Sequence, residues 1–208
     1  MSVEAAPRAL HWSLPIARAI PSAVLAAVIT FSPNHSASFG LVAFGVFALV
    51  SGALIAALAT RAVPERTSAR LVLAHGVLTA LAGVGALVGM TAGVAYLLGL
   101  VVTWAVLTGV LELAFALRGR RRIDGTRDSL FAGILTLALA AVLVFLPPDL
   151  VVEFSGIEGV SGTLTSSIVA VGVIGAYAAV LAVFLIIGGL SLRWVSSAAP
   201  TSAEVTPR

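Results

Sequence analysis

Four long stretches of this 208-residue chain carry no Asp, Glu, Lys or Arg: residues 19–60, 71–111, 129–148 and 159–192. A helix needs roughly 20 apolar residues to cross the hydrocarbon of a bilayer. The first two stretches are each long enough for two crossings. Each breaks in the middle at turn chemistry, Ser32-Pro33-Asn34-His35-Ser36 in one and Gly89-Met90-Thr91-Ala92-Gly93 in the other. The last two stretches hold one crossing each. Six spans follow, at 13–31, 38–60, 71–89, 93–117, 129–147 and 166–192. A membrane β-barrel would need short alternating segments, which unbroken Ala/Leu/Val/Gly runs do not supply. Only 10% of the residues are charged, against about 25% in a soluble domain. Lipid is therefore the solvent that suits this surface.

The formal net charge of +3 invites a nucleic-acid reading, but the positions of the charges refute it. All twelve basic residues are Arg. They fall at Arg8 and Arg18, at Arg61, Arg66 and Arg70, at Arg118, Arg120, Arg121, Arg122 and Arg127, and at Arg193 and Arg208. Every second loop is thus positive, while the last of the others is acidic, with Asp149, Glu153 and Glu158. That is the positive-inside pattern. It puts both termini and the loops at 61–70 and 118–128 in the cytoplasm. Cys and Lys are both absent, which excludes disulfides and Cys-ligated metals and leaves no lysine for a phosphate-binding loop. An Ala- and Arg-rich chain without Lys suggests a bacterium with a GC-rich genome.

An internal repeat emerges by subtraction. Ala19, Gly76 and Gly133 are 57 residues apart, and Gly76-Val77-Leu78-Thr79 matches Gly133-Ile134-Leu135-Thr136. The same offset carries Ser51 to Thr108, Gly52 to Gly109, Leu54 to Leu111 and Arg61 to Arg118. A third copy ends at Gly189-Leu190-Ser191-Leu192-Arg193, after an insertion of about 18 residues. Arg8, Arg18 and Ser36-Ala37-Ser38 outline a signal peptide, but the repeat assigns that region to the mature fold. The expected architecture is an all-α integral membrane protein. Its six transmembrane helices form three repeated helical hairpins, at 13–60, 71–117 and 129–192. A short cytoplasmic N-terminus (1–12) precedes a single membrane domain (13–195), and a disordered cytoplasmic tail (196–208) follows. The loop at 148–165 is expected to face solvent on the far side, lying along the membrane surface.

The segment from Trp104 through Thr108, Gly109, Glu112 and Arg118 resembles the fourth span of the HdeD-like acid-resistance membrane proteins. The phrase Gly133-Ile134-Leu135-Thr136, ending at Pro147, resembles the fifth, and Trp12 also fits. The resemblance covers about residues 12–193. It implies a six-span inner-membrane protein linked to survival in acid, with no catalytic residue or ligand to carry over.

Glu112 is the only acidic residue inside these six spans, roughly 9 Å from the cytoplasmic end at six residues before Arg118. An intramembrane carboxylate needs a partner. His75 lies at a similar depth in the neighbouring span, and the repeat maps His75 onto Arg18, which could serve instead. Thr79 and Thr108, each four residues from one of the pair, would extend a polar seam between the spans. A proton-responsive pair is one reading; a buried or snorkelling packing contact is the plainer one.

The run Arg118-Gly119-Arg120-Arg121-Arg122 fixes topology or meets anionic lipids. Gly85, Gly89 and Gly93 read as turn glycines or as a helix-dimer face. Gly172, Gly175, Gly188 and Gly189 suit close helix packing. Trp12, Tyr96 and Trp194 suit the membrane interfaces, and Trp104 the core. The three histidines have no metal-ligand spacing, and no catalytic constellation is present. The sequence therefore points to a non-enzymatic membrane protein without a cofactor or nucleic-acid partner, acting in stress tolerance or envelope maintenance. A small transporter or channel with a His75/Glu112 seam is one alternative. An accessory subunit of a larger membrane complex, or a homo-oligomer, is another.

Overall fold

The computed structural model describes residues 12–63, 65–119, 126–155 and 161–198. Six helices account for most of them: α1 (Ser13–Phe31), α2 (Ala37–Ala62), α3 (Arg66–Val88), α4 (Val94–Gly119), α5 (Thr126–Val144) and α6 (Ser166–Ala198). All six are long and apolar enough to cross a membrane. In hydrocarbon a backbone amide has no water to bond, and a helix satisfies it internally. We call the end where α1, α3 and α5 begin the base, and the opposite end the top. The expected N-terminal segment and tail lie largely outside the described residues. Helix α6 nevertheless runs on through 196–198, which the sequence assigns to the tail.

Local chemistry sets the helix ends. The Ser36 hydroxyl accepts the Phe39 amide at 3.2 Å and so caps α2. The 32–36 turn is further held by Asn34 N–H to Ser32 Oγ (3.2 Å) and Ser36 N–H to Asn34 Oδ1 (2.9 Å). At the next top turn Gly93 has a φ of +87°, a conformation that glycine adopts without strain. Tyr96 lies over Gly89 and donates to the Gly85 carbonyl at 2.8 Å. These glycines thus serve the turn and the ring above it.

Two helix starts move by more than one residue. Helix α3 begins at Arg66, not 71, because Glu65 caps it by accepting the Ser68 amide at 3.3 Å and the Ser68 hydroxyl. Helix α5 begins at Thr126, not 129, which brings Asp128 into its first turn. Glu112 is therefore not the only acidic residue within a candidate span.

The top loop is also more ordered than expected. It forms an antiparallel pair of strands, β1 (Val151–Ser155) and β2 (Ser161–Thr165), in the register Val151↔Thr165 to Ser155↔Ser161. β-branched residues at Val151, Val152, Thr163 and Thr165 favour the extended backbone. Buried Ser166 ties the hairpin to α6: its amide donates to the Leu150 carbonyl (3.1 Å) and its hydroxyl to the Pro147 carbonyl (2.8 Å).

The helices close a ring in chain order, with α6 returning to α1. The most extensive packing falls between successive hairpins, at α2/α3, α4/α5 and α6/α1, and not within them. Glycine explains two of these seams. A Cβ on Gly76 would stand 2.6 Å from the Ala56 nitrogen and 2.9 Å from the Gly52 carbonyl oxygen, so the α2 and α3 backbones touch. Gly109 and Gly133 face each other likewise between α4 and α5. Between lipid-solvated helices such close approach supplies the attraction that the hydrophobic effect does not. Helices α2, α4 and α6 also touch one another, forming an inner triangle that holds Phe44, Phe47, Trp104 and Tyr177. Val24, Leu81, Val183 and Ile187 point outward, as an apolar solvent allows.

Replacing Gly76 by Leu should force the α2/α3 seam apart. A loss of about 2–3 kcal/mol, read as a lower melting temperature of the detergent-solubilised protein, is expected from overpacking. Gly99→Leu is the control, since a Cβ there meets nothing within 4 Å; equal melting of the two variants would contradict the close seam.

The cap at Glu65 makes a second prediction. The Ser68 hydroxyl beside it holds this carboxyl below its ordinary value. A folded value below the unfolded one means stabilisation that is present at neutral pH and lost as the pH falls through the acidic range. Hydrogen exchange at the Ser68 amide, relative to its intrinsic rate, should accelerate on acidification. In Glu65→Ala it should be fast at every pH.

Candidate functional site

Three helices bring one charged or titratable side chain each to the same point near the base. Arg18 lies five residues into α1, His75 nine residues into α3, and Glu112 seven residues before the end of α4. Arg18 donates a guanidinium hydrogen bond to Glu112 Oε1 and forms an ion pair with it. The His75 Nδ1 atom stands 3.9 Å from the same oxygen, near but beyond direct hydrogen-bond reach. The side chains are only 14% exposed for Arg18, 10% for His75 and 5% for Glu112. A lone charge this deep in an apolar bundle is very unfavourable, and an Arg–Glu pair removes the net charge. Helix α5 shields the pair: a Cβ on Gly133 would lie 3.1 Å from the Glu112 Cβ, so α5 comes close only because that residue is glycine. Both partners considered from the sequence are thus present, with Arg18 in direct contact and His75 beside it.

Above the charges lies a layer of hydroxyls. Ser22, Thr79 and Thr136 each donate to the carbonyl four residues earlier, of Arg18, His75 and Ala132, all at 2.8 Å. Thr108 does the same toward Trp104 at 2.7 Å. Such back-bonding lets a hydroxyl sit inside a span with its proton satisfied. Two of these oxygens reach the central aromatics. Thr79 accepts the Trp104 indole N–H at 3.2 Å, and Thr136 Oγ1 lies 2.9 Å from the Tyr177 hydroxyl.

The aromatic rings close the layer. The Trp104 ring meets Phe44, Phe47 and Tyr177 edge-on, at centroid distances of 5.0, 6.3 and 6.2 Å. From Ser22, Thr79 and Thr136, eight or nine residues remain to the top ends of their helices, roughly 13 Å. Ile29, Leu41, Leu97, Val101 and Val171 fill the core there. The buried polar seam therefore runs from the base to about mid-bundle and stops.

Two cavities follow that seam. The lower, between Leu14, Leu71, Phe115 and Ser129, offers about 30 Å³ to water centres. The upper, between Ser51, Thr108, Thr136 and Tyr177, offers about 20 Å³. A single water needs roughly 10–15 Å³ on this measure. Arg18, Ile55 and His75 line both cavities, so the two adjoin. Three buried atoms have no hydrogen-bond partner among the described residues: Ser51 Oγ, His75 Nδ1 and Glu112 Oε2.

The remaining sequence-derived positions lie elsewhere. Arg118 is exposed at the base, while Arg120, Arg121 and Arg122 fall outside the described residues. Trp194 is exposed, and the Arg193 guanidinium lies 5.4 Å over the Trp12 ring, joining the base ends of α6 and α1. Among the described residues no three His, Asp or Glu side chains gather closely enough to hold a metal ion.

Sequence reasoning did not single out Ser22, Ser51, Thr136 or Tyr177 for the seam. The repeat held the signal for three of them, because Ser22, Thr79 and Thr136 share the 57-residue spacing, as do Ser51 and Thr108. Tyr177 lies beyond the insertion, where that spacing fails.

In comparisons with protein-family models, with curated proteins and with solved structures, nothing matches this chain.

Proposed function

We propose that this chain is a non-enzymatic multi-pass protein of the bacterial plasma membrane, with both termini cytoplasmic, that acts in tolerance of acid. One observation carries the reading: a buried Arg–Glu pair has a histidine beside it. Arg18 supplies the guanidinium of the pair. With Glu112 ionised and His75 neutral the cluster sums to zero, and one proton taken up by either leaves a net positive charge inside the bundle. Such a charge is unfavourable in an apolar surround, so protonation state and helix packing are coupled. The resemblance of the Trp104–Arg118 segment to the HdeD-like acid-resistance proteins supports the same class.

The topology rests on the arginines, which cluster at the base ends of the helices. Arg118, Arg120, Arg121 and Arg122 would then lie against anionic lipids of the inner leaflet, at about 1 kcal/mol for each charge near the surface. The three-hairpin repeat is supported by packing that recurs at α2/α3, α4/α5 and α6/α1. It is also supported by Phe31, Val88 and Phe145, spaced by 57 and exposed at the top by 85%, 82% and 83%. A transporter is the second reading, favoured by the polar seam; its weakness is the aromatic layer at which that seam ends.

Survival of acid shock by a deletion strain tests the proposal. Wild-type protein should restore survival, and Glu112→Gln should lower it to the level of the deletion at equal membrane abundance. Full rescue by Glu112→Gln would overturn the role given to the cluster.

A further inference from the structure

The two adjoining cavities have walls of opposite character at their two ends, and this difference assigns them a ligand. Toward the base they are bordered by Arg18, His75 and Glu112, with Ser129 beyond. Toward the top they end on Trp104, Tyr177 and Phe47. Three buried atoms on their walls lack a partner: Ser51 Oγ, His75 Nδ1 and Glu112 Oε2. A buried polar atom left unpaired is unfavourable by roughly 1–3 kcal/mol, and polar cavities of this size commonly hold water that removes that penalty. The volumes, about 30 and 20 Å³, suit a few waters and nothing larger.

We propose that the cavities form a hydrated half-channel, a binding site for water and one exchangeable proton, that opens at the base and is sealed at mid-bundle by the Phe47–Trp104–Tyr177 layer. The inference rests on the membrane reading given above and adds the route and the side of proton entry. Every helix faces the site, and the charged or titratable groups they present are Arg18 from α1, His75 from α3, Glu112 from α4 and Tyr177 from α6. Helices α2 and α5 contribute only the hydroxyls of Ser51, Ser129 and Thr136 as polar groups. The step is a transfer of one proton from water in the cavity to Glu112 Oε2 or His75 Nδ1, with hydroxide or buffer base left in the aqueous phase. No bond other than that to hydrogen changes. The Arg18 guanidinium remains hydrogen-bonded to Glu112 Oε1 and disfavours a metal cation in the same space. Above the seal the core is apolar, so the site loads and unloads from one side only and conducts no steady proton current.

The chain has no native cysteine, so single cysteines report on this directly. The full-length protein is reconstituted in vesicles, and silver ion, a water-sized and membrane-impermeant thiol reagent, is applied from either side. Modification is read as protection from later alkylation in denaturant. Control cysteines at Arg66 and Asp149 are scored first; if they do not label from opposite sides, the membrane topology fails independently of the half-channel.

With the controls in order, Ser51→Cys and Ser22→Cys should react from the Arg66 side and show complete loss of reaction from the other. Val101→Cys, above the seal, should react from neither. Proton leak in vesicles under an imposed pH gradient should equal that of protein-free vesicles. Silence of Ser51→Cys and Ser22→Cys from both sides would mean a dry site and overturn the proposal. Reaction from both sides, or a sustained proton current, would overturn it in favour of a through-path.

Discussion

Hydrocarbon supplies no hydrogen bonds, and most of this architecture is a response to that fact. Each span is helical because only a helix pairs its own amides. The hydroxyls inside the bundle obey the same demand, since Ser22, Thr79, Thr108 and Thr136 all return their protons to their own helices. The remaining lone pairs are then free to fix the aromatic centre, as Thr79 does for the Trp104 indole. The β-hairpin stands at the top, where it can leave the apolar slab. The Arg18–Glu112 pair goes against the constraint most directly, because it places full charges inside the bundle. It persists because each charge is cancelled by the other and α5 presses against Glu112 through Gly133.

Helix association follows from the same solvent. Lipid tails are as apolar as leucine, so burial of apolar surface between spans gains little, and contact geometry decides which helices pair. That reasoning accounts for the tightest seams lying between hairpins. Gly52 and Gly76, and at the equivalent positions Gly109 and Gly133, remove side chains where two backbones meet. The α6/α1 seam has no such facing glycine pair. There Gly175 receives Ile29 and Gly189 receives Ile16, a knob-and-notch contact in place of backbone contact.

How far the sequence speaks depends on which physics is local. Helix positions were readable because apolar length is a one-dimensional property: α1 spans Ser13–Phe31 as expected, and α4 spans Val94–Gly119 against 93–117. The starts of α3 and α5 were misjudged because Arg66, Arg70 and Asp128 looked like loop charges, although a helix readily carries them at its watery end. The hairpin at 151–165 escaped because five-residue strands carry little pattern, and its anchor, Ser166, works through long-range bonds to Pro147 and Leu150. Glu112 was readable as an intramembrane acid. Its direct partner was not fixed, because Arg18 lies 94 residues away and joins it only once the ring closes α1 near α4.

The position of the site in the bundle bears on what it can do. A through-path for protons needs polar groups along the whole span, and a rigid structural ion pair needs none of the surrounding hydroxyls and no adjacent imidazole. This bundle has neither arrangement. Its polar groups extend from the base to the level of Trp104, and His75 keeps an unpaired nitrogen 3.9 Å from a carboxylate already engaged by Arg18. Unprotonated, the imidazole nitrogen meets the carboxylate as acceptor against acceptor; protonated, it becomes a second donor beside Arg18. Since Arg18 belongs to α1 and Glu112 to α4, their bond fastens the first helix to the rest. The charge state of that one carboxylate therefore bears on how the ring is closed.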